Sequence, residues 1–302
     1  MNILTSSQFA SLNGISDRTV RNYCRQGKIP GAFLSGKTWN IPADAVLPSR
    51  SQNKKLSPLL KALKEQKDGK IKGGIYHRVQ VDLTYNSNHI EGSKLTKEQT
   101  RMIFETHTIA PQEGPAVKVD DIIETVNHFR CVDYIIDHAT SPLTESLIKE
   151  LHRILKTGTT DSTKDWFAVG NYKRLPNEVG GIETTAPEKV NEDMKELLKW
   201  YRSVKDKNEE CIITFHQQFE SIHPFQDGNG RVGRLIMFKE CLAHNLIPFI
   251  IDEDLRFFYY RGLREYPHIR GYLIDTCLAA QDKFKMLLDY FRIKYYPPLK
   301  QD

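Results

Sequence analysis

The chain has 302 residues, 39% of them hydrophobic and 27% charged, with a mean hydropathy of −0.50, so one large domain or a large domain plus a small one can bury a core. Its start lacks the basic region and apolar run of a signal peptide, and its longest apolar stretches are too short to span a bilayer, which argues against a secreted or membrane protein. The five cysteines lie far apart with no C-x-x-C pair, excluding a disulfide framework or a zinc ribbon and pointing to a reduced, cytoplasmic protein.

The net charge of +5 is unevenly placed. Residues 1–73 carry 13 Lys and Arg against 4 Asp and Glu, and the remainder carries 30 against 34. A basic first quarter on a mildly acidic body predicts two functional units. Thr5-Ser6-Ser7-Gln8 has the form of a capping box, with Phe9 and Leu12 as the buried positions of a short helix. Asn13-Gly14-Ile15 forms the turn, Ser16 caps a second helix over Asp17–Gln26 with Val20 and Tyr23 inward, and Gly27 stops it. Arg18, Arg21, Asn22 and Arg25 are left outward. "IPGAFLSGKTWNIP" then carries a hairpin signal around Ser35-Gly36-Lys37. Residues 1–48 resemble the winged helix-turn-helix modules of the MerR and excisionase type, which implies DNA as a partner through those four side chains. A basic face that docks a protein is the competing reading. Residues 49–56 have linker composition, and Ser57-Pro58 opens the next helix.

From residue 57 to 302 helical periodicity dominates. Apolar residues repeat over Asp121–Asp137 (Ile122, Ile123, Val126, Phe129, Val132) and over Leu143–Leu155 (Leu143, Leu147, Leu151, Ile154). Glu188–Tyr201 and Asp275–Phe291 follow the same pattern. "YKRLPNEVGGIETT" is the strand signal of this region, with Gly180-Gly181 between two short runs. The expected fold class is mainly α, a helical domain with one β-hairpin, preceded by the small winged unit.

"SIHPFQDGNGRVGR", Ser221–Arg234, contains a G-x-G-x-x-G match, but Ile212, Phe215, Phe219 and Ile222 place a helix before it. A dinucleotide fingerprint follows a buried strand, so this match is accidental. Pro224 ends the first helix near His223, and Val232, Leu235, Ile236 and Leu242 predict a second one from about Asn229. The amides of Gly228, Asn229 and Gly230 then form an anion nest at a helix N-terminus. Arg231 and Arg234, one turn apart, can hold further phosphates. Asp227 suits Mg²⁺ bridging phosphates, and His223 can take a proton from a hydroxyl. Together they describe phosphoryl or nucleotidyl transfer. His216 is read as a packed helix-face histidine, because no third metal ligand of suitable spacing follows.

"HPFQDGNGRVGR" matches the signature H-P-F-x-[DE]-G-N-[GK]-R-x-x-R of the Fic family at every defined position. The resemblance extends over roughly 57–291 through "YNSNHIEG", "GNYKRLPNEVGG" and "RFFYYRGL". It implies transfer of AMP from ATP to a Ser, Thr or Tyr hydroxyl of a protein target, this chain included. His223 would be the base, Phe225 the loop anchor and Asp227 the Mg²⁺ ligand. Gly228, Asn229, Gly230, Arg231, Val232, Gly233 and Arg234 would form the nucleotide loop. Val179, Gly180, Gly181 and Ile182 resemble the flap over the nucleotide, and Tyr259 and Tyr260 the aromatic pair of the adenine pocket. Tyr76, Val79 and Leu83 have helical spacing and Gly92 is a natural helix stop, so Ser87 and Glu91 share a helix face near 76–92. Ser87-x-x-x-Glu91-Gly92 resembles the family's inhibitory helix, in which Glu91 withdraws Arg234 from ATP. Removal of AMP by the same site, a DNA-binding regulator that senses nucleotide, and a homodimer stay open as alternatives or additions.

Overall fold

The computed structural model describes residues 3–47, 56–110 and 116–295. The chain divides into two compact units, Met1–Lys55 and Leu56–Asp302. Apart from Leu56, the expected linker lies outside the described residues.

The first unit is built from β1 (Ile3–Thr5), α1 (Ser6–Leu12), α2 (Asp17–Arg25), β2 (Phe33–Ser35) and β3 (Thr38–Pro42). Thr5 and Gln8 form the expected capping box, and Ser16 accepts a hydrogen bond from the Thr19 amide to start α2. Gly36-Lys37 joins β2 to β3, with Ser35 paired to Thr38. β1 was not expected; it pairs antiparallel with β3 and makes β3 the central strand of three. Phe9, Ala10, Val20, Cys24, Ile29 and Ile41 form the core. Leu12 is a correction: it is 74% exposed. With Phe9 and Ala10 inward, a residue two positions further on is turned about 200° from Ala10, to the opposite face. Arg18, Arg21, Asn22 and Arg25 all lie on the exposed side of α2.

The second unit contains α3 (Pro58–Asp68), α4 (Ile75–Ile90), α5 (Lys97–Thr106), α6 (Val119–Asp137), α7 (Glu145–Lys156), β4 (Glu178–Val179), β5 (Ile182–Glu183), α8 (Val190–Ser203), α9 (Glu209–Ile222), α10 (Asn229–Ala243), α11 (Glu253–Glu265) and α12 (Gly271–Tyr290). Helix ends follow local chemistry. Ser57 caps α3 with Pro58 in its first turn. Thr144, not Leu143, opens α7, because its hydroxyl accepts the Leu147 amide. α8 begins two residues later than expected and α12 four residues earlier. Gly180 and Gly181, with φ of 58° and 78°, make the two-residue turn that antiparallel β4 and β5 require.

α10 organises this unit. Every residue from Arg231 to Leu242 is buried, so it runs through the core between its neighbours and not along a surface. Its apolar residues join those of α3, α4, α6, α7, α8 and α9 in the main hydrophobic cluster. The N-terminus of so buried a helix must find partners for its amides, and that end is where the conspicuous loop lies. Among the described residues no helix is long and apolar enough to cross a membrane.

Candidate functional site

His223 caps the C-terminus of α9 in the left-handed region, φ 50° and ψ 62°, because Pro224 forbids another helical turn. Its amide donates to the Phe219 carbonyl, closing the helix. The imidazole is mostly buried, with Nδ1 3.3 Å from the Glu220 carbonyl. A carbonyl only accepts, so Nδ1 carries the proton and the lone pair is left on Nε2. Burial and the nearby Lys173 charge push the His223 pKa below its ordinary value against the pull of the Glu220 carbonyl, which keeps the ring neutral near pH 7.

The loop after His223 is fixed by its own side chains. Phe225 is fully buried and its ring stacks on His152 at 4.0 Å, so it is an anchor. Asn229 accepts from the Phe225 amide and donates to the Phe225 carbonyl, both at 2.8 Å. Its side chain thus braces the loop and leaves only its backbone amide for a ligand. Gly228 has φ 82°, a conformation that favours glycine, and a Cβ there would also stand a tight 3.3 Å from Leu155. Asn229→Ala strands the buried Phe225 amide and removes one of the two donors to the Phe225 carbonyl, the other being Asn177 Nδ2, and is expected to cost about 2 kcal/mol, measured by urea unfolding. A change below about 0.5 kcal/mol would mean that water replaces the brace.

The amides of Asn229 and Gly230 have no hydrogen-bond partner among the described residues, as an anion site at a helix N-terminus needs. A carboxylate from this chain lies against Gly230. A Cβ on Gly230 would fall 2.1 Å from Glu91 Oε1, so Glu91 rests where the positive end of the α10 dipole favours an anion. Glu91 follows the last residue of α4, and Gly92, φ 98°, ends that helix. The carboxylate is unfavourable for the dipole of α4 and favourable for that of α10. Arg234 donates to Glu91 Oε1 at 2.7 Å, to Ser87 Oγ at 3.0 Å and to the Ser87 carbonyl at 2.9 Å. Ser87, Glu91 and Arg234 are therefore one contact, and the guanidinium is almost entirely buried in it.

Arg231 goes elsewhere. It pairs with Glu124 of α6 and with Asp227 Oδ2 at 3.0 Å, while Lys156 of α7 pairs with Glu124 and sits 2.7 Å from the same Asp227 oxygen. Two cations and two carboxylates alternate, and Asp227 is the exposed member, its side chain 47% accessible. Burial alone would raise the Asp227 pKa, but Arg231 and Lys156 outweigh it and hold the carboxyl well below the usual range. Neither Glu124 nor Lys156 was expected from sequence. The same is true of Lys173, Asn177 and His152. Lys173 and Asn177 stood inside the quoted "GNYKRLPNEVGG", whose polar residues have no local turn to explain them.

Three expectations are corrected. Tyr259 is 1% exposed, with its hydroxyl 2.6 Å from His216 Nε2, so it supports Arg234 from beneath and offers no face to a base. Adjacent helical residues point about 100° apart, and only Tyr260 faces outward, its hydroxyl donating to the Ile90 carbonyl. Val232 is wholly buried in the main core and its amide is bonded to Gly228, leaving nothing for a ligand. Gly233 serves helix packing, since a Cβ would stand 2.7 Å from His216 and Glu220 of α9. Val179, Gly180 and Gly181 are exposed along the hairpin, with Ile182 paired to Val179. His216 is buried as expected of a packing residue, and no group of three or more potential metal ligands occurs among the described residues.

Three buried histidines beneath the site have a measurable consequence. Burial drives His128, His152 and His216 down to about 3, while burial drives Glu220 up to about 8. Near pH 5 the unfolded chain protonates all three imidazoles, and the folded chain holds one extra proton on Glu220. Three less one leaves two protons favouring the unfolded state there, so stability should begin to fall as pH drops below 6.5 and reach a slope of about 3 kcal/mol per pH unit near pH 5. Urea midpoints that stay level between pH 7 and 5 would show that the histidines protonate in place.

Residues 142–241, a third of the chain running from just before α7 into α10, match the profile of the Fic/DOC family. The protein adenylyltransferase Fic of Nematostella vectensis is 28% identical over 193 residues, covering 61% of this chain. The protein adenylyltransferase fic-1 of Caenorhabditis elegans is 27% identical over 193 residues, covering 59% of it. The chain spans 42% and 35% of those relatives' own length. Among solved structures, a Fic domain containing signaling protein from Bacteroides thetaiotaomicron superposes with a TM-score of 0.58 at 25% identity, over 79% of this chain and 90% of that one. Fic-1 from C. elegans shares the fold at a TM-score of 0.58 and 19% identity, over 78% of this chain and 72% of that one.

Proposed function

We propose that the second unit transfers AMP from ATP to a Ser, Thr or Tyr hydroxyl of a protein, with Glu91 as a built-in brake. The observation that carries this reading is the neutral His223 imidazole held beside a helix N-terminus flanked by Arg231 and Arg234. The names of the curated relatives support it. His223 Nε2 accepts the proton of the attacking hydroxyl. The amides of Asn229 and Gly230 receive phosphate oxygens, and Arg231 and Arg234 neutralise the charge that moves to the departing pyrophosphate. Phosphorus–oxygen bond formation to the target and cleavage between the α- and β-phosphates leave AMP on the target oxygen. In this reading Tyr260 would meet the adenine base and the hairpin backbone the target chain.

Asp227 fits Mg²⁺ in one respect: it is ionised and partly exposed, and Mg²⁺ is commonly held by one carboxylate together with substrate phosphates. When bound, the ion supplies charge neutralisation between phosphates. Lys156 and Arg231 already share Oδ2, so Asp227 offers its other oxygen. Intact-mass measurement after incubation with ATP and Mg²⁺ tests the reading: a gain of one AMP on the protein or on a partner protein supports it. No gain with the Glu91→Gly variant and a panel of host proteins would remove it.

For the first unit we propose duplex DNA as the partner, on the observation that Arg18, Arg21, Asn22 and Arg25 share the exposed side of α2. Arg21 is also paired with Asp17 at 2.8 Å. Replacing Arg18 and Arg25 together by Ala should lower the salt slope of binding by about two, one for each phosphate that is no longer neutralised. An unchanged slope in a filter-binding series would exclude α2 as the DNA-binding helix. Binding that changes with ATP would make the chain a nucleotide-responsive regulator as well.

A further inference from the structure

We propose that Lys173 is a positioning residue that ties both ends of the β4–β5 hairpin to the backbone carrying His223. Its catalytic consequence rests on the AMP-transfer reading; the tie itself does not.

Lys173 is 3% exposed, and its ammonium has three partners for its three donors. Nζ lies 2.6 Å from Asn177 Oδ1, 2.6 Å from Thr184 Oγ1 and 3.4 Å from the Ile222 carbonyl. Asn177 immediately precedes β4 and Thr184 immediately follows β5, so one side chain holds the hairpin where the chain enters and where it leaves. Ile222 is the residue before His223. The backbone makes the same connection: the Lys173 amide donates to the Pro224 carbonyl at 2.8 Å, and Asn177 Nδ2 donates to the Phe225 carbonyl at 3.0 Å.

The hairpin has little else to fix it. Each strand has two residues, and Glu178, Val179, Gly180 and Gly181 are all exposed. A ladder that short is not stable by itself. Its placement beside His223 therefore depends on the polar contacts at its base: Thr184 donates to Asn177, Asn177 donates to the Phe225 carbonyl, and Lys173 is the group that joins both residues to the Ile222 carbonyl.

The charge of Lys173 has a second effect. Burial draws its pKa down to about 8, so it remains charged near pH 7. Four groups bear on the His223 ring: Lys173 itself, Glu220 of α9 with Oε2 at 3.9 Å, Glu91 at the end of α4, and Asp227 in the following loop. Lys173 is the cation among them, and it opposes protonation of the imidazole. A neutral side chain at 173 should move the His223 titration to higher pH.

The test uses the full chain with Lys173→Met, Lys173→Arg and Thr184→Val. Two readouts do not depend on catalysis: amide hydrogen exchange over residues 177–184, and an NMR titration of the His223 imidazole. In Lys173→Met the hairpin should exchange at least about tenfold faster, which corresponds to about 1.4 kcal/mol and is within the worth of a hydrogen bond from a charged donor, and the His223 midpoint should rise. Lys173→Arg should keep the wild-type midpoint. Thr184→Val, which removes the Lys173 contact together with the Thr184–Asn177 bonds, should speed hairpin exchange a few-fold and leave the midpoint alone; if Lys173→Met does not fold, wild-type exchange in this variant still overturns the tie. Wild-type exchange in Thr184→Val, or an unmoved midpoint in folded Lys173→Met, would overturn the proposal. A third readout places these changes in the Glu91→Gly background. There Lys173→Met should lower AMP transfer at least about tenfold while binding of a non-hydrolysable ATP analogue stays the same. Absence of transfer with Lys173 intact would count against the AMP-transfer reading, and the exchange and titration results would still decide the role of Lys173.

Discussion

His223→Ala should lower AMP transfer by roughly 10²–10⁴-fold, the range for loss of a positioned general base. ATP affinity should be nearly unchanged, because under the proposed function the phosphate contacts would come from the α10 amides and the arginines. The structural reason is the left-handed cap. Pro224 stops α9 so abruptly that His223 leaves the helix in the left-handed region, with Nδ1 committed to the Glu220 carbonyl. The pH dependence carries a sign. Burial and Lys173 lower the His223 pKa, so the base is deprotonated over a wider range than free histidine. In the wild type the rate should rise with pH along a limb lying below the ordinary histidine value and then level off. The variant should lose this limb. Equal labelling by wild type and His223→Ala at saturating ATP would take the base role away from this residue.

Glu91→Gly should raise AMP transfer about tenfold to a hundredfold. A charge-assisted Arg–carboxylate bond is worth about 1.5–3 kcal/mol, and about 1.4 kcal/mol is a factor of ten. Glu91 is partly exposed, which favours the lower end of that range. Two effects act together in this one substitution. Arg234 is released from the 2.7 Å bond to Glu91, and the carboxylate leaves its place against Gly230 at the start of α10, where a phosphate would otherwise meet a like charge. Glu91→Gln should release less, since an amide keeps a neutral hydrogen bond to Arg234. Arg234→Ala placed on Glu91→Gly should cancel the gain, with the unfolding midpoint measured beside it because Arg234 also holds Ser87. Identical rates for wild type and Glu91→Gly at saturating Mg²⁺ and target would mean that Glu91 is no brake.

Features that the sequence determined by itself are those decided within a few residues. Thr5 with Gln8, Ser16, and Ser57 with Pro58 start helices because a hydroxyl and the amide it caps are three residues apart. Gly180-Gly181 turns a hairpin because both positions need positive φ, and Pro224 ends α9 because it cannot continue a helix. The order of chemistry in Ser221–Arg234 was legible for the same reason: a helix end, a glycine bend and a helix start are adjacent in the chain. The partners of those groups were not. Glu91 meets Arg234 across 143 residues, Glu124 meets Arg231 across 107, and Lys156 meets Asp227 across 71. The first of these pairs entered the sequence reading through resemblance to a family, and the other two did not enter at all. Lys156 at the end of an amphipathic helix is written like any surface lysine; only the packing of α6 and α7 against α10 encloses it. Tyr259 and Tyr260 are the same residue type side by side, and the orientation of α11 alone decides that one lies under Arg234 and the other faces outward. Local backbone chemistry fixes where helices begin and end, whereas the balance of burial against charge pairing across the core fixes which side chains meet.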